Sequence, residues 1–327
     1  MYKVSKRTIL KSLAVAAALS ISAGAGAQGS QNVIKVIKVI VPYAAGGISD
    51  QVARSVVERM SKTLAQTMIV ENRPGAGSRI GSDLVMRAAP DGLTLLFTNP
   101  SYTFLPLTDP TVKYDAAKAL APVAPVGKYG LMVAVSSKLP VNSLNEFIAH
   151  AKKHPGQLSY GSSGMGSGAH FAGEYFQTLT GTKMVHVPYK STAAAVIDVA
   201  GGVLDLTFDA TAKPYADAGK VKILAVTGDQ RDPRLPDVPT AFQSGMKDFV
   251  LTSWLGIFAP VGTPAAIIEK YNKAVNAALI EPAFVKQLED LGITAAGGQP
   301  SVLAGFVQQD MILYPRIAAE SKLTFKE

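Results

Sequence analysis

The chain has 327 residues, no cysteine, 48% hydrophobic residues and a formal net charge of +8. Lack of cysteine excludes disulfides, thiol catalysis and a lipoprotein anchor, so the length must supply one or two domains with cores of their own. Half of the charge comes from Lys3, Lys6, Arg7 and Lys11, and no dense basic cluster interleaved with aromatics follows, so nucleic acid is not expected as a partner.

Residues 1–27 read as a cleavable export signal: a basic start without acids, an apolar run at 13–21, and the small-residue site Ala25-Gly26-Ala27. That run is too short to span a membrane, and the expected location is the periplasm, as a free soluble protein. Short apolar runs then alternate with helical patterns, which argues an α/β fold with largely parallel sheets. Residues 36–41 read as strand, 49–64 as helix, 67–70 as strand, 80–89 as helix stopped by Pro90-Asp91-Gly92, and 93–97 as strand. The Pro- and Asp-rich stretch 99–125 reads as loop and crossover. A second block follows, with strand 131–135, helix 143–153, helix 170–180, strand 183–188, helix 192–200 and strands 204–208 and 221–226. Residues 251–258 carry the chain back to the first block, and helices at 265–280 and 302–319 end it. Trp254 is expected to pack in the core or at the hinge.

Two glycine-rich loops sit where a strand hands over to a helix: Pro42-Tyr43-Ala44-Ala45-Gly46-Gly47-Ile48-Ser49-Asp50 and Gly161-Ser162-Ser163-Gly164-Met165-Gly166-Ser167-Gly168-Ala169-His170. Small residues let backbone N–H groups approach a ligand, and a helix N-terminus leaves about four such donors unpaired and partly positive. Such a site favours an anion. Two of them suggest two lobes gripping one small acid. In the first loop Tyr43, Ala44, Ala45, Gly46 and Gly47 are candidates, with Ser49 and Asp50 capping the helix. Asp50 can also meet the ligand, and would receive the ammonium group of an amino acid. In the second, Ser162, Ser163 and Ser167 offer hydroxyls, Gly164 and Gly166 offer backbone, and His170 is expected to pin the loop. Thr98 and Asn99 end a strand at the carboxyl edge where open α/β sheets bind ligands. Asp209 after Phe208 follows the same logic, and Tyr189 and Lys190 are expected on the second wall.

The resemblance to a known family covers the mature chain. It rests on Pro42-Tyr43-Ala44-Ala45-Gly46-Gly47 with Asp50, on Glu71-Asn72-Arg73-Pro74-Gly75-Ala76-Gly77 and on Ala89-Pro90-Asp91-Gly92. It continues through Gly161-Ser162-Ser163-Gly164 with Gly166, Ser167 and His170, and through Val187-Pro188-Tyr189-Lys190. Leu235-Pro236-Asp237-Val238-Pro239-Thr240, Trp254-Leu255-Gly256 and Ala259-Pro260-Val261-Gly262-Thr263-Pro264 complete it. In this order the motifs resemble the Bug-type solute receptors of tripartite tricarboxylate transport systems. The resemblance implies a two-lobed Venus-flytrap fold of the periplasmic-binding-protein kind, each lobe a mostly parallel sheet flanked by helices. Lobe 1 is expected at 33–123 plus 255–327 and lobe 2 at 124–254, with the ligand between them. It also implies a carboxylated metabolite as ligand. An anion-binding pole on each lobe makes a di- or tricarboxylate the expectation, with an aromatic carboxylate or an amino acid as alternatives, and membrane permease subunits are expected as partners of a monomer. A receptor that signals to a sensor kinase is the other role compatible with such a chain. Ser78 and Ser191 stand where the family often has Gly, Ile48 where Pro is common, and Gln243 where Glu is common.

Enzyme readings fit less well. A serine hydrolase elbow needs Gly-x-Ser-x-Gly, and here Met165 follows Ser163 two positions on. The first loop lacks Gly-x-Gly-x-x-Gly. His150 and His154 share a helical spacing without the glutamate of a zinc protease. No catalytic residue, cofactor or metal is expected.

Overall fold

The computed structural model describes residues 35–325, and the expected export signal lies outside them. Strands β1 (Ile37–Val41), β2 (Met68–Asn72) and β3 (Thr94–Thr98) pair in parallel with β1 in the middle. Beyond β3 lie β10 (Thr252–Pro260), β4 (Leu120–Gly130) and β11 (Thr294–Ala295), all antiparallel to their neighbours, which gives the order β11-β4-β10-β3-β1-β2. Successive side chains of a strand face opposite ways. Val39 and Val41 therefore join one core, against Val52, Val56 and Met60 of α1 (Ile48–Leu64), Tyr271 and Ala278 of α8 (Ala265–Leu279) and Phe284 of α9 (Pro282–Asp290). Ile40 joins the other, against Val85 of α2 (Arg79–Met86), Tyr102 of α3 (Ser101–Thr108) and Leu303 and Val307 of α10 (Pro300–Glu320). Burial on both faces explains why β1 reads as an almost continuous apolar run.

The second sheet repeats the scheme with the order β7-β6-β8-β5-β9. β7 (Val185–Pro188), β6 (Ser159–Ser162) and β8 (Leu206–Phe208) are parallel, whereas β5 (Met132–Ser136) runs antiparallel to both β8 and β9 (Val221–Val226). Val133 and Val135 pack on Phe147 of α4 (Leu144–Lys153) and on Phe171 and Phe176 of α5 (Gly168–Thr180). Met132 and Ala134 pack on Ala195 and Val199 of α6 (Thr192–Gly201), with Ala216 of α7 (Lys213–Asp217) at the border. The expectation of mostly parallel sheets thus describes one half of each sheet. The other half is antiparallel because the chain changes sheet directly, through Leu131 and again through Leu251, without a crossover helix. The expected lobe limits at 123/124 and 254/255 fall inside β4 and β10, so the change of sheet itself lies at Leu131 and Leu251.

Stretch 99–125, expected as loop, holds α3 and the start of β4. Pro106 lies inside α3 and removes the N–H that would bond the Tyr102 carbonyl. Tyr114 Oη donates to that carbonyl instead, at 2.7 Å, so the helix survives its proline.

Three chain segments meet where the sheets join. Thr227, with 0% exposure, ties the two crossings together: its Oγ1 accepts from the Leu131 N–H at 3.0 Å and donates to the Leu251 carbonyl at 2.7 Å. Its backbone bonds the same two residues, each at 2.8 Å. Beside it a Cβ on Gly130 would lie 2.4 Å from the Gly228 nitrogen, so only glycine allows this approach. Helix α10 straps both halves, with Leu303 and Val307 in the core around Trp254, and Tyr314 and Ile317 in the core around Phe171. Between them the buried Asp310 accepts from Trp254 Nε1 at 2.8 Å and from Thr103 Oγ1 at 3.0 Å, and burial pushes its carboxyl up to about 7. Among the described residues no helix is long and apolar enough to cross a membrane.

Candidate functional site

A cleft of about 720 Å³ opens between the two sheets. Its floor is the crossing region: Tyr129 and Leu131 at one crossing, Leu251 and Ser253 at the other. The Tyr129 phenol is pushed up to about 12, chiefly by burial; a hydrogen bond from Ser253 opposes the rise, and the nearby Tyr43 and Asp209 add to it.

The first wall grows from the turn after β1. Gly46 adopts φ +87°, a left-handed value that favours glycine, and its N–H donates to Asp50 Oδ2 at 2.9 Å. Asp50 also takes Arg54 Nε at 3.1 Å and Asn72 Nδ2 at 2.9 Å. Burial alone would raise its carboxyl, and the hydrogen bonds from Arg54, the Gly46 N–H and Asn72 outweigh that and hold it below the usual range. Tyr43 is the second anchor. Its hydroxyl contacts Thr98 Oγ1 at 2.9 Å, Asn99 Oδ1 at 2.7 Å and Ser101 Oγ at 2.6 Å, which ties the turn to the carboxyl end of β3 and to the start of α3. The turn is thus held from behind. The N–H groups of Ala44, Ala45 and Gly47 have no hydrogen-bond partner among the described residues, and all three residues line the cleft.

The second wall repeats this logic with other side chains. Gly164 and Gly166 adopt φ +108° and +73°. The Gly166 N–H donates to His170 Nδ1 at 3.0 Å, and Ser167 Oγ caps α5 by accepting from the His170 N–H at 3.3 Å. Ser162 Oγ lies 2.6 Å from His186 Nε2 and also bonds the Gly164 backbone through both its N–H and its carbonyl. Burial pushes both imidazoles down to about 4, so they act as neutral acceptors and donors, not as cations. A serine–histidine contact can mark a nucleophile, but Ser162 has 0% exposure and every one of these bonds serves the loop. Ser163, Met165 and Gly168 line the cleft with N–H groups that have no partner among the described residues.

Four helix N-termini border this cleft: α1 at Gly47, α3 at Pro100 and Ser101, α5 at Ser167 and Gly168, and α6 at Ser191 and Thr192. Each carries roughly half a positive charge. Among the lining residues Lys190 is the one cation and Asp209 the one acid. Lys190 is exposed and makes no salt bridge among the described residues. Between the polar walls run Phe104, Leu105, Leu131, Phe208, Leu251 and Tyr314. Phe104, Phe171 and Tyr314 close the rear as an aromatic group with ring centroids 4.7–5.3 Å apart. The arrangement can hold a small anion at either wall and cover an apolar stretch between.

Of the residues expected from the sequence, Tyr43, Ala44, Ala45, Gly47, Asn99, Ser163, Gly166, Ser167, Lys190 and Asp209 line the cleft. Gly46, Ser49, Asp50, Thr98, Ser162, Gly164, His170 and Tyr189 are not among the lining residues. Asp50 is not placed to receive an ammonium group, because both its oxygens are already engaged. The Tyr189 hydroxyl turns away to Asp198 at 2.6 Å. Pin-like behaviour was the expectation for His170, and its bond to the Gly166 N–H has that form. Sequence reasoning missed Phe104, Leu105 and Thr108 because α3 was read as loop, and Tyr314 because α10 is remote in the chain. Pro74, Gly75, Gly77 and Ser78 were also missed, although a glycine-rich turn after β2 was a usable signal. Ser78 lines the cleft with φ +90°, a value that suits the glycine expected there, and its Oγ accepts from Ser101 Oγ at 3.1 Å. Ser191 caps α6 by accepting from the Ala194 N–H at 3.3 Å.

Residues 52–322 match the model of the tripartite tricarboxylate transporter family receptor, TctC. Protein BugT of Bordetella pertussis is 32% identical over 295 residues, covering 89% of this chain and 90% of BugT. A solved periplasmic transporter is 36% identical with a TM-score of 0.81, covering 89% of this chain and 98% of the other. R. palustris Rpa4515 with adipate is 30% identical with a TM-score of 0.78, over 88% and 97% of the two chains. MatC (Rpa3494) from Rhodopseudomonas palustris with bound malate is 32% identical with a TM-score of 0.76, over 86% and 98%. The motifs named from the sequence, the two-lobed fold and the matched length agree: this chain belongs to the tripartite tricarboxylate transporter receptor family, and to its Bug branch.

Proposed function

We propose that this protein is an exported, monomeric receptor that captures a small di- or tricarboxylate by closing its lobes and passes it to the membrane subunits of a tripartite transporter. The observation that carries the reading is the convergence of four helix N-termini, with unpartnered N–H groups on both walls, on one cleft. Adipate and malate in two relatives of the same fold support a molecule with an acid group at each end. Only a closed state lets both walls act on one such ligand, so binding drives closure. The lobes of this reading are 36–130 with 252–325, and 131–251. The leader ends at Ala27, which N-terminal sequencing of the exported protein tests.

The experiment is a thermal-shift and calorimetric titration of protein that has been unfolded and refolded to remove retained ligand. Diacids of four to six carbons, tricarboxylates, aromatic acids and neutral sugars form the panel. Ligand at about 1,000 times its dissociation constant stabilises by about 4 kcal/mol, a shift of several degrees, and is recovered chemically unchanged. A melting temperature that no acid moves, or a response to sugars instead, refutes the reading.

A further inference from the structure

Asp209 is the one acid in a cleft otherwise arranged for anions, and its two oxygens are used unequally. The residue is 8% exposed and lies directly after β8, between Phe208 and the short turn Ala210–Ala212. Oδ1 caps that turn by accepting from the Thr211 N–H at 2.7 Å and from the Thr211 hydroxyl. Oδ2 has no partner among the described residues, and it is not among the sealed, unsatisfied atoms of the interior. Lys190 shares the wall but stands more than 4 Å away as a charge partner, since no salt bridge joins the two. The Tyr129 phenol lies near enough on the floor for the Asp209 charge to act on it.

From this geometry we infer that Asp209 reads a hydrogen-bond donor on the ligand, so that the receptor selects diacids carrying a hydroxyl or ammonium group between their acid groups over plain diacids. This deepens the carboxylate-receptor reading and rests on it. Closure removes the last water from a carboxylate that is already nearly buried. An acceptor stripped of water without a new partner is costly, and a carboxylate more so than a neutral group. A plain diacid offers Oδ2 nothing and adds repulsion. A hydroxyl donates to it, and an ammonium group donates and pairs with its charge. Sites that hydrogen-bond a substrate group discriminate strongly against analogues lacking it.

The test uses matched series on the refolded receptor: succinate, malate and aspartate, then glutarate, 2-hydroxyglutarate and glutamate, then adipate with its 2-hydroxy and 2-amino forms. Calorimetry gives each dissociation constant for wild type and for Asp209→Asn, a variant that keeps Oδ1 as the cap for Thr211. In the series that binds, the hydroxy or amino acid is expected to bind at least about tenfold tighter than the plain diacid. In Asp209→Asn the amino acid weakens by at least about tenfold, the hydroxy acid weakens less, and the plain diacid tightens. Movement in opposite directions is the signature that a damaged cap or fold does not give. Equal wild-type affinities for plain and substituted acids overturn the inference, as does a preference that Asp209→Asn leaves unchanged or a uniform loss across the series. If no member of any series binds, the carboxylate reading itself fails and takes this inference with it.

Discussion

Replacing Thr227 by valine changes one hydroxyl to a methyl at nearly constant volume, so packing is almost untouched. The hydroxyl is both acceptor for the Leu131 N–H at 3.0 Å and donor to the Leu251 carbonyl at 2.7 Å, at a residue with 0% exposure. Each such bond contributes about 0.5–1.5 kcal/mol net, and a buried group left without a partner costs about 1–3 kcal/mol. Two orphaned groups therefore put the loss at about 2–4 kcal/mol. For a chain of this size that lowers the melting temperature by roughly 5–10 °C. The assay is thermal and urea unfolding of wild type, Thr227→Val and Thr227→Ser side by side. Serine keeps the hydroxyl and should retain most of the stability. Valine within about 0.5 kcal/mol of wild type, or serine falling as far as valine, refutes the view that this hydroxyl staples the crossings.

Asp310→Asn keeps an acceptor for Trp254 Nε1 but removes a titration. A folded carboxyl raised from 3.8 to about 7 makes stability fall as pH rises between those values, so the variant should gain about 2–3 kcal/mol on wild type between pH 5 and pH 8, read by urea midpoints at each pH; a gain that does not change with pH contradicts it. Ser78→Gly relieves a serine held at φ +90° and should raise stability by about 1 kcal/mol, checked by thermal melting, with a drop in melting temperature as the opposing result. Asp50→Ala removes the acceptor for the Gly46 N–H, Arg54 and Asn72, and should lower stability by about 2–4 kcal/mol and weaken ligand binding at least tenfold, whereas Arg54→Ala, losing only a half-exposed partner, does far less.

Much of the fold was legible because its strands are buried on both faces and its helices carry ordinary stops. Ile37–Val41 and Val221–Val226 stand out as apolar runs, and Gly181 and Gly202 end α5 and α6 in the left-handed conformation that glycine favours. The helix at Ser101–Thr108 was hidden because Pro100, Pro106 and Asp109 are local stop signals, and the bond from Tyr114 that offsets Pro106 is tertiary. The mixed sheets were hidden for a similar reason. Strand direction depends on where the chain re-enters, and Leu131 and Leu251 carry no mark of being crossings. At the site, the glycine loops pointed to the backbone donors, while nothing local tells which side chains next to those loops face the cleft and which support it. Asp50 and Tyr189 have the chemistry of ligand partners, yet Arg54, Asn72 and Asp198 had already claimed them. The apolar middle of the cleft had no local signature, since Phe104, Phe208 and Tyr314 come from three distant segments.

The donors on both walls are peptide groups, and this separates two kinds of heritable change. A mutation at Ala44 or Ser163 replaces a side chain but leaves the N–H in place as long as φ and ψ are kept. Apart from proline, which has no N–H, no single substitution there can delete the donor, and none can turn it into an acceptor. Chemistry between the walls is encoded differently, by Phe104, Leu131, Asp209 and Tyr314, where one codon changes size, polarity or charge. On the proposed reading, such a chain can exchange one acid for another by drift at a few interior positions while the wall donors persist. Under that reading the grip is written in backbone shape, and the choice of ligand in side chains.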